Sequence, residues 1–92
     1  MKIKVLFHGI LSDWIGTTET EFSLWEGSQL DDLFFLIERR YGEKMPEQLW
    51  DREKKAFVNS VWVMRGDEKI QNPNESLMNE EVIRFLFMQA GG

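Results

Sequence analysis

The residues with the clearest chemical meaning close the sequence, where Gln89 and Ala90 are followed by Gly91 and Gly92. Glycine has no Cβ and tolerates backbone conformations denied to other residues, so such an end is slender, extended and unhindered at its carbonyl inside another protein's active site. The chemistry open to it is acyl activation. A carboxylate is a poor electrophile because oxide would have to leave; adenylation makes a mixed anhydride, and attack by a sulfur nucleophile then gives a C-terminal thiocarboxylate. In isolation the signal is weak, since chance closes roughly one sequence in two hundred with two glycines at average composition. The bland alternative is a frayed polar tail. What raises the functional alternative is position, directly after the last strand of a folded domain.

Other reactive groups offer less. His8 is the single histidine, and a lone imidazole beside Phe7 is expected to be an ordinary strand residue, neither base nor ligand. Asp31-Asp32 and Glu80-Glu81 are adjacent pairs whose side chains diverge on a helix or strand, so neither makes a chelate or an acid-base couple. Asp31 and Asp32 instead favour a helix N-terminus. With no cysteine there is no disulfide framework, thiolate nucleophile or sulfur-built zinc site, and no metal is expected. Neither a G-x-x-x-x-G-K-S/T loop nor a G-x-G-x-x-G turn occurs. No cofactor is therefore expected to be bound here, and the ATP chemistry is assigned to a partner.

The bulk numbers agree with a small carrier or binding body. Ninety-two residues at 42% hydrophobic content allow one compact core. A net charge of -5, a pI near 4.8 and scattered lysines and arginines argue against nucleic acid. They favour a partner with a basic pocket. No run approaches a membrane span and no apolar signal core opens the chain, so a soluble, cytoplasmic protein is expected.

The elements that must position the chain end are read from periodicity. Lys2 to His8 alternates, with Ile3, Val5 and Phe7 on one face and Lys4, Leu6 and His8 on the other. Gly9 to Thr17 reads as a turn and Thr18 to Trp25 as a second strand. Ser28 is the expected N-cap of a helix striped by Leu30, Leu33, Phe34, Ile37 and Tyr41, with Gly42 as its C-cap. Residues 43–55 read as a charged loop from which Leu49 and Trp50 fold back onto the core. Ala56 to Met64 reads as a third strand, followed by a turn at Gly66 and a short segment near Ile70. Asn72, Pro73 and Asn74 break the pattern, Leu77 and Met78 drop into the core, and Val82 to Met88 forms the last strand. Trp25 and Trp50 are expected in the core, and Trp62 on an open face. One helix covers one sheet face, so the expected fold is α+β, a β-grasp: a mixed sheet of four to five strands with a helix across its concave side. Residues 1–88 form the domain and 89–92 a flexible tail.

With these residues in view, the chain resembles the small subunit of molybdopterin synthase and related sulfur carriers of the ubiquitin-like superfamily, including the thiamin-pathway carrier. The likeness rests on Ile3-Lys4-Val5-Leu6-Phe7, the turn at Gly16, the helix after Ser28, Val58-Asn59, Leu77 and Gly91-Gly92. It implies that Gly92 is the acyl carrier and Gly91 its slender neighbour, in a non-catalytic protein. It also implies three partners: a ubiquitin-activating-type adenylating enzyme that uses ATP, a sulfur donor protein, and the large synthase subunit. Docking would fall to Leu6, His8, Trp62, Leu86 and Met88, with Gln89 and Ala90 leading to the glycines. The long 43–55 segment favours the molybdopterin type over the thiamin type. Two further possibilities stand beside it: a ubiquitin-like modifier conjugated through Gly92, and a plain interaction module in which the glycines play no part.

Overall fold

The computed structural model describes residues 1–88. Alternation builds the first strand, β1 (Lys2–Phe7), which buries Ile3, Val5 and Phe7 and turns Lys4 and Leu6 to the other face. The next segment corrects the expected turn. It holds a six-residue helix, α1 (Ile10–Ile15), that buries Leu11 and Ile15 one turn apart. Gly16 ends it with a left-handed φ of 94°, its N–H donating to Ser12 O at 2.8 Å. The chain returns as β2 (Glu19–Ser23), antiparallel to β1. Trp25 lies beyond this shorter strand and is 89% exposed, not in the core. After Leu24 the backbone turns, Ser28 N–H donating to Trp25 O, so strand alternation no longer fixes which side Trp25 takes.

The main helix, α2 (Leu30–Tyr41), is capped by Gln29 and not by Ser28. Asp32 Oδ2 accepts the Gln29 N–H at 2.8 Å in a reciprocal capping box, while Ser28 O accepts from Leu77 N–H. Its stripe of Leu30, Leu33, Phe34 and Ile37 is buried. Gly42 does not take the left-handed cap conformation; at φ -52° the chain tightens into a 3-10 turn, Gly42–Lys44. A Cβ there would sit 3.1 Å from Glu38 Cγ, so a larger residue would require the Glu38 side chain to give by a few tenths of an ångström.

Leu49 and Trp50 are buried as expected, and Trp50 Nε1 donates to Glu38 Oε2 at 3.0 Å. The segment is not all loop, because β3 (Trp50–Asp51) and β4 (Ala56–Phe57) pair in a short hairpin. The strand expected over 56–64 is consequently two: β4 pairs with β3, whereas β5 (Val61–Arg65) joins the main sheet. Between them Val61 N–H bonds to Val58 O in a turn at Asn59-Ser60. After β6 (Glu68–Ile70), Leu77 is buried but Met78 is 62% exposed, since neighbours in an extended segment face opposite ways. The last strand is β7 (Glu81–Phe87).

Among the described residues the main sheet has five strands in the order β2-β1-β7-β5-β6, with β1 and β7 parallel and the other neighbours antiparallel. This mixed sheet with α2 on one face is the α+β β-grasp arrangement expected from the sequence. Its centre is aromatic: Phe34 on α2 lies 6.1 Å from Phe85 and 6.0 Å from Phe57, and Phe57 stands 4.9 Å from Phe85 and 5.0 Å from Trp50. Edge and tilted ring contacts of this kind fill volume densely while burying large apolar area.

An ionic knot fastens the end where α2 begins. Arg65 donates to Glu81, to Glu75 Oε1 at 2.9 Å and to Ser76 O at 2.6 Å. Burial pulls the guanidinium pKa down, but the hydrogen bonds and charges of Glu81 and Glu75 outweigh it and hold the group above its ordinary value.

Candidate functional site

The site is the exit of the chain from the body. β7 is the middle strand, paired with β1 on one side and β5 on the other, so its backbone is held from both flanks. The last rungs are His8 N–H to Phe85 O at 3.0 Å and Met88 N–H to Ser60 O at 2.7 Å, with Phe87 opposite Val61. Residues beyond Met88 thus start from a fixed point. Gln89, Ala90, Gly91 and Gly92 lie outside the described residues.

Strand register assigns Leu6, Trp62 and Leu86 to the sheet face away from α2. Leu6 pairs with Arg84, and Leu86 with Trp62. Leu6, Trp62 and Leu86 are half-buried, and Met88 is 41% exposed just past the strand. The row nearest the exit is therefore apolar. The next row is mixed, Leu6 and Met64 flanking Arg84: Arg84 donates to Gly66 O at 3.3 Å, and Lys69 Nζ stands 4.2 Å over the Trp62 ring. On the β2 edge, Glu19 meets Lys4 at 3.7 Å. The face grades from an apolar row by the exit through basic groups to an acidic edge at Glu19 and Glu21.

His8 follows β1 at the same end. Its Nε2 is buried and, among the described residues, has no hydrogen-bond partner. Among the described residues no carboxylate hydrogen-bonds or ion-pairs with it, so they give it no acid-base couple. The acidic pairs behave as neighbours should: Asp32 caps α2 and Glu81 serves Arg65, and among the described residues no group of acids and histidine converges on a metal-sized site. A groove of about 710 Å³ runs between the start of α2 and β4–β6, with Asp31, Lys54 and Lys69 on its rim over an apolar floor. Among the described residues no hydrogen bond or ion pair joins Asp31 to either lysine. No helix among the described residues is long and apolar enough to cross a membrane.

Periodicity missed the other wall of the exit. Trp14 of α1 packs edge-on against Phe87, ring centroids 6.2 Å apart at 70°. The signal was present: Leu11, Trp14 and Ile15 stand at helical spacing between Gly9 and Gly16.

No protein-family model and no curated protein matches the sequence. Solved structures match it in shape. SAMP1 from Haloferax volcanii has a TM-score of 0.82 at 10% identity, over 100% of both chains. A protein described as subunit 1 of a molybdopterin converting factor from Pyrococcus furiosus has a TM-score of 0.72 at 21% identity, covering 97% of this chain and 99% of its own. Urm1 from Trypanosoma brucei has 0.74 at 17% identity, covering 99% and 95%. Identities this low carry the fold alone.

Proposed function

We propose that this chain, a ubiquitin-like β-grasp domain, is a sulfur carrier that is adenylated and then thiocarboxylated on Gly92 and gives up that sulfur in molybdopterin synthesis. The observation that carries the proposal is the place of Gly91-Gly92, which follow within five residues of Phe87, the end of a central strand held on both sides. A body so braced presents its chain end to another protein without rearranging.

The chemistry is that of the acyl group. A carboxylate oxygen of Gly92 attacks the α-phosphorus of ATP, and pyrophosphate leaves. A hydrosulfide-level nucleophile then adds to the acyl carbon, AMP departs and the sulfur proton passes to solvent, leaving the thiocarboxylate. The nucleotide site is assigned to a ubiquitin-activating-type enzyme, the sulfur to a donor protein, and the final acceptor site to the large synthase subunit. Such an ATP-dependent route belongs in the cytoplasm. This chain contributes no catalytic group and binds no cofactor in the scheme; it supplies the acyl group and a docking face at Leu6, His8, Trp62, Leu86 and Met88.

The Pyrococcus neighbour, described as a molybdopterin converting factor subunit, supports that destination. Neighbours described as small archaeal modifier proteins favour a second reading, in which a lysine amine of a target protein attacks the same adenylate. The test compares the full chain with a variant lacking Gly91 and Gly92, each incubated with ATP, the adenylating enzyme of the same cells and sulfide. The full chain should gain sulfur in place of oxygen at Gly92 while the truncated one gains nothing and keeps its unfolding midpoint. Equal sulfur transfer by the truncated chain refutes the carrier; isopeptide adducts without thiocarboxylate support the modifier.

A further inference from the structure

We infer that α1 is a second docking element, on which the mouth of the adenylating enzyme's active site seats through Ile10, Trp14 and Phe87. The inference rests on the proposed loading of Gly92. Ile10 is 42% and Trp14 37% exposed. Four residues apart on a helix, they share one side, while Leu11 and Ile15, about 100° further round the helix, anchor it in the core. The helix is thus a rigid bracket, and the Trp14 ring is steadied against Phe87.

Chain length supplies the partner. Gly92 is five residues beyond Phe87, a reach of at most about 17 Å when fully extended. The body measures 37 × 28 × 24 Å and cannot follow the chain end into a cleft. An active site that holds the Gly92 acyl carbon therefore brings its rim against whatever surrounds the exit. On the open sheet face that is Leu86 and Trp62; on the core side it is α1. Half-buried tryptophan beside an exposed aliphatic is the residue chemistry that anchors interfaces. Asp13, exposed next to Trp14, places one of the acids that give the chain its net charge of -5 beside this patch. The complementary surface is an apolar pocket bordered by basic side chains.

The test is ATP–pyrophosphate exchange by the adenylating enzyme of the same cells, with the carrier concentration varied. Trp14→Ala should raise the KM for carrier at least tenfold and Ile10→Ser severalfold, with kcat within twofold of the parent. Trp14→Phe, which keeps a ring against Phe87, should recover most of the loss, and Phe35→Ala on the outer side of α2 should change nothing. Should Trp14→Ala fail to fold, Ile10→Ser decides the matter alone, an unchanged KM in that folded variant overturning the docking role. Unchanged KM in folded Ile10→Ser and Trp14→Ala overturns the docking role while leaving Gly92 loading intact. Absence of exchange with the parent chain instead overturns the loading, and the docking inference falls with it.

Discussion

Replacing Arg65 with Met removes the donors to Glu81, Glu75 and Ser76 O while keeping the apolar stem. The Glu81 side chain is 7% exposed, and among the described residues it then keeps one donor, Met78 N–H at 2.9 Å. An uncompensated buried charge costs about 3–5 kcal/mol. The Glu75 pair, a third exposed, is worth about 0.5 kcal/mol after solvent screening. Because Arg65 is itself 23% exposed and water can reach the knot, we expect the lower part of that range, about 3 kcal/mol. For a chain of this size that is a fall on the order of 15 °C in Tm. Urea unfolding followed by tryptophan emission measures it. Combining Arg65→Met with Glu81→Leu should recover at least half of the loss, since both charges then leave together. The folded guanidinium pKa is raised, so its contribution is complete below the unfolded value and is lost only above the folded one. The gap between parent and variant should thus stay flat from neutral to mildly alkaline pH. A loss under about 1 kcal/mol, or a double variant no better than the single, refutes the knot as a stabilising element.

Phe85→Ala empties the centre of the aromatic cluster, where Phe85 is fully buried among Phe7, Phe34 and Phe57, and should cost about 3–5 kcal/mol in denaturant unfolding; a cost under about 2 contradicts the packing. Trp25→Ser should change stability by no more than about 0.5 kcal/mol, because the ring is 89% exposed, and should remove the most solvent-exposed part of the emission. Leu86→Thr keeps strand propensity but strips the apolar row beside Trp62. By calorimetric titration it should weaken binding of the adenylating enzyme or the large synthase subunit by about tenfold, and unchanged binding removes the sheet face from the docking surface.

Much of the body was legible because burial enforces periodicity. Ile3, Val5 and Phe7 alternate and Leu30, Leu33, Phe34 and Ile37 recur at helical spacing, and each set lies in the core. Misreadings fall where punctuation and burial disagree. Gly9, Asp13 and Gly16 signal a turn, yet Leu11 and Ile15 have core to reach, so a short helix forms between the glycines. Ala56 to Met64 is uniformly strand-like in composition, yet Asn59-Ser60 turns the chain and its halves pair with different strands. Tryptophan size alone placed Trp25 inside, where its neighbours show that the strand has already ended. At the site, Leu6, Leu86 and Trp62 share a face that alternation predicts, whereas Trp14 depended on recognising α1. The charge gradient across the open face follows from strand order, and no window of sequence displays it.

The most direct test is intact mass spectrometry of the protein purified from its native cells, with fragmentation of the peptide that carries Gly91-Gly92. A carrier predicts a fraction in which sulfur replaces one oxygen at Gly92. An unmodified Gly92, unchanged after incubation with ATP, the adenylating enzyme and a sulfur donor, contradicts the central claim.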